Sequence, residues 1–247
     1  MILEVLCKDK GYSMTLCIHS KLDKYVAGCL PFNTKARFWK EELYFETPIT
    51  IMELKGLKGV SVIDYGKLYY WPPGRALCIF YGLSEPYTTV YEVGYLVSNP
   101  HYSLVFEDGD ELVVQQHKLD ETYSDIASIL QNLGFTVTTP LQDGIRVIAA
   151  CKFIDNVYLS VNIYREDYGI HIESNPILKY DRLYPTLKTL RRVKKTLRNK
   201  YRFARLDLNE DDYTVVTAIA DNINELSKAI REVEEAYTET LNLLELE

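Results

Sequence analysis

The sequence predicts two domains: an N-terminal all-β closed barrel with one short helix, and a C-terminal α+β domain. In the first hundred residues, short β-rich segments alternate with Gly, Pro, Asn and Asp breaks. In the second half, apolar residues recur at helical spacing in three long segments. A polar stretch at residues 115–118 separates the two patterns. We therefore predict domains of residues 1–117 and 118–247.

Size and composition are those of a soluble globular protein. The 247 residues are 47% hydrophobic and 26% charged, and no apolar run approaches the roughly 20 residues that cross a bilayer. Glu4 and Lys8 bracket the short apolar run at the N-terminus. This run predicts an opening strand rather than a signal peptide.

The N-terminal half contains seven strand candidates and one helix candidate. A long open sheet would leave strand edges exposed, so we expect the strands to close into a barrel. The helix candidate covers residues 21–29. The predicted strands are residues 2–7, 13–19, 43–45, 49–54, 67–71, 77–80 and 91–97.

The C-terminal half predicts helix, antiparallel strands, helix, strands and a long closing helix, which is an α+β layer arrangement. The first helix ends at Gly134, in the position that favours glycine. The second covers about residues 183–200. The third begins at Asn222, with Glu225 at the spacing of a capping box. The predicted strands are residues 136–139, 145–151, 157–164, 168–172, 203–208 and 214–220.

The sequence predicts no metal site, no cofactor and no catalytic residue. The five cysteines form no CxxC pair, are odd in number and have apolar neighbours, which indicates buried free thiols in a reducing cytoplasm. The four histidines lack metal-ligand spacing. The common nucleotide, esterase and zinc-protease motifs do not occur.

The stretch GKLYYWPPGRALCIFYG, residues 66–82, contains a rigid aromatic corner. Pro72 restricts Trp71 to an extended backbone, and Gly74 permits a turn that a side chain would obstruct. Two interpretations remain open. Trp71 either fills the end of a small barrel as a core residue, or forms the floor of a ligand cleft. The proposed cleft residues are Arg37, Glu42, Tyr44, Trp71 and Arg75, of which Arg75 could pair with an anionic ligand.

Five segments within residues 1–100 form a recognisable pattern: Leu30-Pro31-Phe32, Arg37-Phe38-Trp39, Glu42-Leu43-Tyr44-Phe45, Tyr70-Trp71-Pro72-Pro73-Gly74 and the apolar strand that ends at Gly82. In these segments the sequence resembles the small cyclophilin-like domain family of archaea and bacteria, a group of uncharacterised proteins. Lys40 and Lys67 depart from the family pattern, in which Gly and Asp are usual. The resemblance implies a cyclophilin-like barrel but not prolyl isomerase activity. The arginine motif of authentic cyclophilins is absent, since Arg37-Phe38 is its nearest fragment and no glutamine follows it.

The C-terminal half combines Leu130-Gln131-Asn132-Leu133-Gly134-Phe135, strand candidates at residues 145–151 and 157–163, and the closing helix from Asn222. In this pattern residues 120–247 are similar to the YbjN and type III secretion chaperone-like α+β fold. That group has an N-terminal helix, a strand meander, a middle helix, further strands and a long closing helix. The resemblance implies a domain that binds proteins or dimerises and has no catalytic centre.

Charge is strongly segregated near the C-terminus. Residues 182–205 contain ten basic residues and no acid, whereas residues 206–247 contain two basic and 12 acidic residues. The basic helix could contact nucleic acid, be neutralised by the acidic closing helix, or meet the acidic surface of a second subunit in a homo-oligomer. Its basic side chains are Lys188, Arg191, Arg192, Lys195 and Arg198; the acidic ones of the closing helix are Glu225, Glu232, Glu234, Glu235 and Glu239.

Together these observations predict a cytoplasmic protein that binds a small ligand, a peptide or a protein and does no covalent chemistry. One alternative is an enzyme with its site at Trp71, either a residual peptidyl-prolyl isomerase or another activity. A second is a nucleic-acid-associated protein that uses the basic helix, residues 183–202. The sequence indicates no membrane partner. Mixed charges and only four glutamines are consistent with a heat-tolerant archaeal source.

Overall fold

The computed structural model describes residues 1–51 and 54–246. It separates the chain into two compact units. Unit 1 contains Met1–Glu121 and Thr138–Ala149, and unit 2 contains Thr122–Val137 and Ala150–Glu247. The first passage from unit 1 to unit 2 is close to the predicted boundary at residues 117 and 118. Residues 138–149 lie beyond that boundary but are part of unit 1.

Unit 1 is built around a ten-stranded sheet. Its strands are β1 (Ile2–Cys7), β2 (Tyr12–Ile18), β3 (Phe32–Lys35), β4 (Arg37–Trp39), β5 (Glu42–Glu46), β6 (Gly59–Val60), β7 (Lys67–Trp71), β8 (Ala76–Phe80), β9 (Val90–Leu96) and β10 (Glu111–Gln116). They follow the order β3-β10-β1-β2-β9-β7-β8-β5-β4, and β6 pairs with β9. The described pairings in this sheet are antiparallel.

The two ends of this sheet meet at Ala36. This residue alone separates β3, which pairs with β10, from β4, which pairs with β5. The Ala36 N–H donates to the Asp110 carbonyl at 2.9 Å, and the Thr34 hydroxyl donates to the Glu46 carbonyl at 2.8 Å. The sheet is therefore a nearly closed antiparallel barrel, which confirms the predicted N-terminal fold class.

Alternate strand positions fill the interior of the barrel with apolar side chains. Leu43 pairs with Ile79 and Phe45 pairs with Leu77, and all four are buried. The opposite, outer face of the same strands is also covered, because Cys78 and Phe80 are 1% exposed. A second layer of side chains therefore lies on the outside of this part of the barrel wall.

The predicted helix of unit 1 is present in a broken form. It consists of α1 (Asp23–Val26) between two 3-10 turns, Ser20–Leu22 and Ala27–Cys29. The predicted strand at residues 49–54 includes residues 52 and 53, which lie outside the described part of the chain. Residues 49–51 form no strand, and Leu54–Gly56 is a 3-10 turn. Further 3-10 turns cover Pro100–Val105 and Glu121–Tyr123.

Residues 138–149 are attached to the barrel by a buried polar network. They include the hairpin of β12 (Leu141–Gln142) and β13 (Ile145–Arg146). The Arg146 guanidinium pairs with the Glu4 carboxylate, which is 2% exposed and also accepts from Ser13 at 2.8 Å and Gln115 at 3.0 Å. Burial raises the pKa of Glu4, but these hydrogen bonds outweigh it, so the pKa is lowered on balance.

Unit 2 combines an antiparallel sheet with three helices, as predicted. The strands of this sheet are β11 (Thr136–Thr138), β14 (Ile148–Ile154), β15 (Val157–Glu166), β16 (Gly169–Ser174), β17 (Leu178–Lys179), β18 (Arg205–Leu208) and β19 (Tyr213–Ala220). They follow the order β11-β14-β15-β16-β19-β17, and β18 pairs with β19. The helices are α2 (Ser124–Asn132), α3 (Tyr184–Lys200) and α4 (Ile223–Leu244). The chain passes between the units within β11 and β14.

The predicted end of α2 before Gly134 and the predicted start of α4 after Asn222 are both confirmed. Gly134 follows α2 with a φ of +86°, and the Asn222 side chain accepts from the Asn224 N–H at 3.0 Å at the start of α4. Glu225 departs from the expected capping box, because it pairs with Arg202 at 3.0 Å. The apolar stripe of α4 packs on β19 and the neighbouring strands. Its buried members include Leu226, Ala229, Ile230, Val233, Ala236 and Tyr237.

Within the described residues, no helix is both long and apolar enough to span a membrane. The cysteines form no disulfide. Cys7, Cys78 and Cys151 are buried, whereas Cys17 and Cys29 are half-buried.

Candidate functional site

The Trp-Pro-Pro-Gly corner fixes the indole ring of Trp71 between a turn and a loop. Trp71 is the last residue of β7, and the Arg75 N–H closes the following turn on the Pro72 carbonyl at 3.1 Å. A Cβ added to Gly74 would lie 2.4 Å from Cε3 of Trp71, so the ring packs directly on the glycine. From the other side, the Trp71 Nε1–H donates to Thr88 Oγ1 at 2.9 Å.

Trp71 packs against a cluster on the outer face of the barrel wall. Strand register brings Tyr44 and Tyr69 opposite Cys78, and the rings of Tyr69 and Phe80 make an edge contact with centroids 5.9 Å apart. Trp71 thus lies on the same face of the strands as Tyr69 and Cys78. We call this group the outer cluster; it comprises Tyr44, Val60, Ile63, Tyr69, Trp71, Cys78, Phe80 and Val90.

A cleft of about 240 Å³ opens beside the outer cluster. Strands β4, β5 and β7 provide one side of it, and the segment that leads into β9 provides the other. Its walls are mainly aromatic, and Glu42 is its one lining carboxylate. The lining residues are Trp39, Glu42, Tyr44, Trp71, Pro86, Tyr87, Thr88 and Val90.

Glu42 is a buried carboxyl group without a basic partner. Its residue is 8% exposed, and no basic side chain within the part of the chain that the structure describes forms an ion pair with it. Burial raises the pKa of Glu42, and the hydrogen bond from the Cys78 thiol lowers it by less. Burial and the Glu42 carboxylate in turn raise the pKa of Cys78 well above its usual value.

The rim of the cleft already contacts a cation. Trp39 and Tyr87 form an edge-to-face pair with ring centroids 4.5 Å apart. The Lys40 ammonium lies 4.4 Å from the Trp39 centroid and 5.1 Å from the Tyr87 centroid. Both distances are within the range of cation–π attraction. The hydroxyl groups of Tyr44 and Tyr87 make no hydrogen bond with the described residues.

The structure brings together three of the five predicted cleft residues. Glu42, Tyr44 and Trp71 line the cleft, whereas Arg37 and Arg75 do not. Arg37 pairs with Asp108 at 3.2 Å on the exposed surface. Arg75 has a φ of +47°, and its carbonyl accepts from the Thr47 N–H at 2.9 Å within the turn. The structure thus places these two arginines away from the lining of the cleft.

Sequence reasoning missed the opposite wall of the cleft. Trp39 was part of the family pattern but was not proposed as a cleft residue. Tyr87 and Thr88 lie in a polar loop, and Tyr87 is 81% exposed. The rigid Pro86 beside them is the one local signal that could have drawn attention to this loop.

The predicted basic surface lies along α3 and is exposed. Lys188, Arg191, Arg192, Lys195 and Arg198 form no ion pair among the described residues.

The acids of α4 instead engage other groups. Glu239 pairs with Lys200 at 2.7 Å, Glu225 with Arg202 at 3.0 Å and Glu234 with Lys152 at 2.7 Å. Glu232 accepts from the backbone N–H groups of residues 203 and 204. The acidic residues of α4 thus pair with Lys200 at the end of α3 and with Arg202 just after it. They do not pair with the five predicted basic side chains of α3.

Comparison with known proteins finds a family match in unit 1. Residues 2–115 match the family model described as Cyclophilin-like. The solution structure of a hypothetical protein from Archaeoglobus fulgidus aligns with a TM-score of 0.37 and 24% identity, over 47% of this chain and 94% of that chain. The structure of McbB in complex with tryptophan aligns with a TM-score of 0.37 and 14% identity, over 53% of each chain. No curated protein matches the sequence. The resemblance of residues 120–247 to chaperone-like proteins stays a prediction.

Proposed function

Starting from a cyclophilin-like domain over residues 2–115, we propose that this protein is a cytoplasmic binding protein that does no covalent chemistry. Its ligand is a small molecule or a peptide side chain, bound in the cleft beside Trp71. The observation that carries this proposal is the cleft itself, a concave aromatic surface that contains one buried carboxyl group. Such a combination of apolar walls and few polar groups is typical of ligand sites.

Binding fits the chemistry of the cleft better than catalysis. The Cys78 thiol donates a hydrogen bond to the Glu42 carboxylate, and the raised pKa of this thiol disfavours the nucleophilic thiolate. Arg37, the nearest candidate for an isomerase arginine, pairs with Asp108 away from the cleft. The cleft therefore offers neither an activated nucleophile nor a positioned electrophile to a prolyl peptide.

Intrinsic tryptophan fluorescence tests the proposal directly. The chain contains two tryptophans, and both line the cleft, so their emission reports on this site. We expect saturable changes on titration with at least one class in a panel of neutral, cationic and anionic fragments and short prolyl peptides. A panel in which nothing saturates would contradict the proposal, and turnover of the prolyl peptides would favour the isomerase alternative.

A pair of tyrosine variants locates the binding site. Tyr87 and Tyr168 are both highly exposed, at 81% and 62%, and only Tyr87 lines the cleft. Tyr87→Ala should weaken binding of the active fragment by about tenfold, because one ring contact is worth roughly 1–2 kcal/mol. Tyr168→Ala should leave the affinity unchanged. Equal effects of both variants would place the fragment elsewhere.

The exposed basic face of α3 supports a second candidate function, the binding of a polyanion such as nucleic acid. Lys188, Arg191, Lys195 and Arg198 recur at steps of three and four residues and thus form one row along the helix. Because these charges have no acidic partner among the described residues, they are free to contact phosphates. Polyanion binding by this row should weaken steeply with added salt.

An electrophoretic shift assay at low salt distinguishes the remaining hypotheses about α3. Arg191→Ala/Arg192→Ala should abolish binding of RNA or DNA. Lys200→Ala/Arg202→Ala is the control, because it removes the same amount of charge from residues that are already paired with Glu239 and Glu225. If neither nucleic acid binds, a homo-oligomer detected by light scattering and broken by the first variant would support inter-subunit pairing.

A further inference from the structure

We propose that the cleft selects an organic cation: a primary or methylated ammonium group carried on a short apolar stem. This inference rests on the proposed function and names the ligand class of the same cleft. Three features carry it: the uncompensated carboxyl group of Glu42, the aromatic walls, and the absence of lining side chains that would favour an anion.

The Glu42 carboxyl group lacks the counter-charge that a buried ion needs. Buried carboxylates in proteins are paired or hydrogen-bonded, because the loss of hydration destabilises a buried charge unless other groups compensate it. Here the Cys78 thiol is a weak donor, and the described residues provide no cation. A ligand ammonium at this position would supply the missing positive charge, and a primary ammonium would add N–H donors.

The aromatic walls suit the same ligand. Ammonium groups bind over the faces of Trp and Tyr rings, and quaternary ammonium groups are recognised by cages of such rings. Four of the eight lining residues are Trp or Tyr: Trp39, Tyr44, Trp71 and Tyr87. The contact of Lys40 with Trp39 and Tyr87 shows that these two rings accept an ammonium in this protein.

Anionic ligands find no basic side chain among the residues that line the cleft, and the Lys40 ammonium at the rim lies on the Trp39 and Tyr87 rings. None of its lining residues is Lys, Arg or His. At about 240 Å³, the cleft is smaller than the roughly 300–1,000 Å³ typical of sites for drug-sized molecules. It therefore fits a head group rather than a large planar ligand.

Three probes of one shape isolate the contribution of charge. Choline carries a trimethylammonium group, 3,3-dimethylbutan-1-ol is its uncharged isostere, and 3,3-dimethylbutanoate is an anion of similar size. Titrated into the whole chain and followed by tryptophan emission, choline should bind at least tenfold more tightly than the alcohol. The carboxylate should bind most weakly.

Two matched glutamate variants locate the counter-charge. Glu42→Gln should reduce choline affinity at least tenfold and leave the affinity for the alcohol unchanged. Glu46 lies on the same strand, is exposed and does not line the cleft, so Glu46→Gln should change neither affinity. If Glu42→Gln does not fold by circular dichroism, the comparison of choline with the alcohol on the unaltered protein still decides the inference.

The outcomes separate this inference from the proposed function. Equal or tighter binding of the alcohol or the carboxylate overturns the choice of a cation, but leaves the cleft as a ligand site. Loss of choline binding in both glutamate variants also overturns it, because the effect would not then depend on Glu42. No response to any of the three probes overturns the inference, while the fragment panel and Tyr87→Ala decide the proposed function independently.

Discussion

At the scale of single residues, Gly74 determines where the Trp71 ring can lie. The ring packs on the glycine Cα, and its Nε1–H is fixed by Thr88. These two contacts hold the indole from opposite sides. The position of the Trp71 ring in the cleft therefore depends on Gly74, which has no side chain and does not itself line the cleft.

We predict that Gly74→Ala lowers the free energy of unfolding by about 1–3 kcal/mol, the usual cost of overpacking. The added methyl group would lie 2.4 Å from the Trp71 ring, so the ring must shift. Urea titration followed by tryptophan emission measures the change. Gly28→Ala is the control, because nothing lies within 4 Å of its added Cβ. Equal stability of the two variants would show that Trp71 is not fixed by Gly74.

His117 is a second residue whose environment has a measurable consequence. It is 9% exposed, and its Nε2 accepts from the Thr139 N–H at 3.1 Å. Its Nδ1 has no partner among the described residues. Burial lowers the pKa of His117 below 6.5, Arg146 lowers it further, and Glu4 opposes both. The folded state therefore holds His117 neutral, with the Nε2 lone pair committed to Thr139.

We predict that His117 makes unit 1 less stable as the pH falls. The unfolded chain takes up the proton from pH 6.5 downward, whereas the folded chain does not, so the free energy of unfolding falls by at most about 1.4 kcal/mol per pH unit. In urea titrations by tryptophan emission, His117→Gln should show a weaker decline than the unaltered protein. The exposed neighbouring variant Lys118→Gln should retain the full decline. Parallel curves for His117→Gln and the unaltered protein would exclude this role.

At the scale of elements, α4 fixes the chain that leaves α3. The Glu232 carboxylate accepts from the Phe203 N–H at 2.5 Å and from the Ala204 N–H at 3.1 Å. These two donors lie between the end of α3 and the start of β18, where the backbone has no strand partner. One side chain of α4 thus sets the direction in which the chain enters the sheet.

We predict that Glu232→Ala lowers the free energy of unfolding of unit 2 by about 1–3 kcal/mol, the cost of leaving buried donors unpaired. Glu235→Ala removes an exposed carboxylate from the same helix and should have an effect below about 0.5 kcal/mol. Far-ultraviolet circular dichroism in urea measures both. Comparable losses in the two variants would mean that the backbone of residues 203 and 204 is held by other contacts.

Elements with a strong local signal were predictable from the sequence. The strands at residues 2–7 and 67–71 and the helices α3 and α4 have periodic apolar faces or caps that act within one element. Strands β3 and β4 were missed because they are short and are defined by their partners across the closing barrel. The same reason applies to the cleft. Tyr87 and Thr88 reach Trp39 and Trp71 only because their loop folds over the outer face. The left-handed backbone of Arg75 also had no specific signal in the sequence.

At the scale of the whole molecule, the two units can be observed separately. Trp39 and Trp71 both belong to unit 1, whereas helices α2, α3 and α4 lie entirely within unit 2. Tryptophan emission therefore follows unit 1, and the helical circular dichroism signal follows unit 2. Because a chain of two units need not unfold in one step, each probe should be analysed by itself.

The two units also contain titratable groups whose effects on stability have opposite pH dependence, His117 in unit 1 and Glu173 in unit 2. In unit 2, Glu173 lies near Glu210, Asp211 and Asp207. Burial is the largest cause that raises its pKa to about 7, and the three negative neighbours contribute the rest of the rise. A raised pKa means that the folded state takes up a proton before the unfolded state does. The contribution of Glu173 to stability is thus fully present below pH 4.5 and is lost as the pH rises through about 7.

We predict that Glu173→Gln stabilises unit 2 above neutral pH, by on the order of 2 kcal/mol, because it removes a half-buried charge among like charges. The difference from the unaltered protein should shrink as the pH falls from about 7 to 4.5, where Glu173 is itself protonated in the folded state. Circular dichroism in urea across this range measures it. Glu235→Gln removes an exposed charge of the same sign and should give a small difference independent of pH. A Glu173→Gln curve that stays parallel to that of the unaltered protein would show that Glu173 is ionised as an ordinary surface carboxylate.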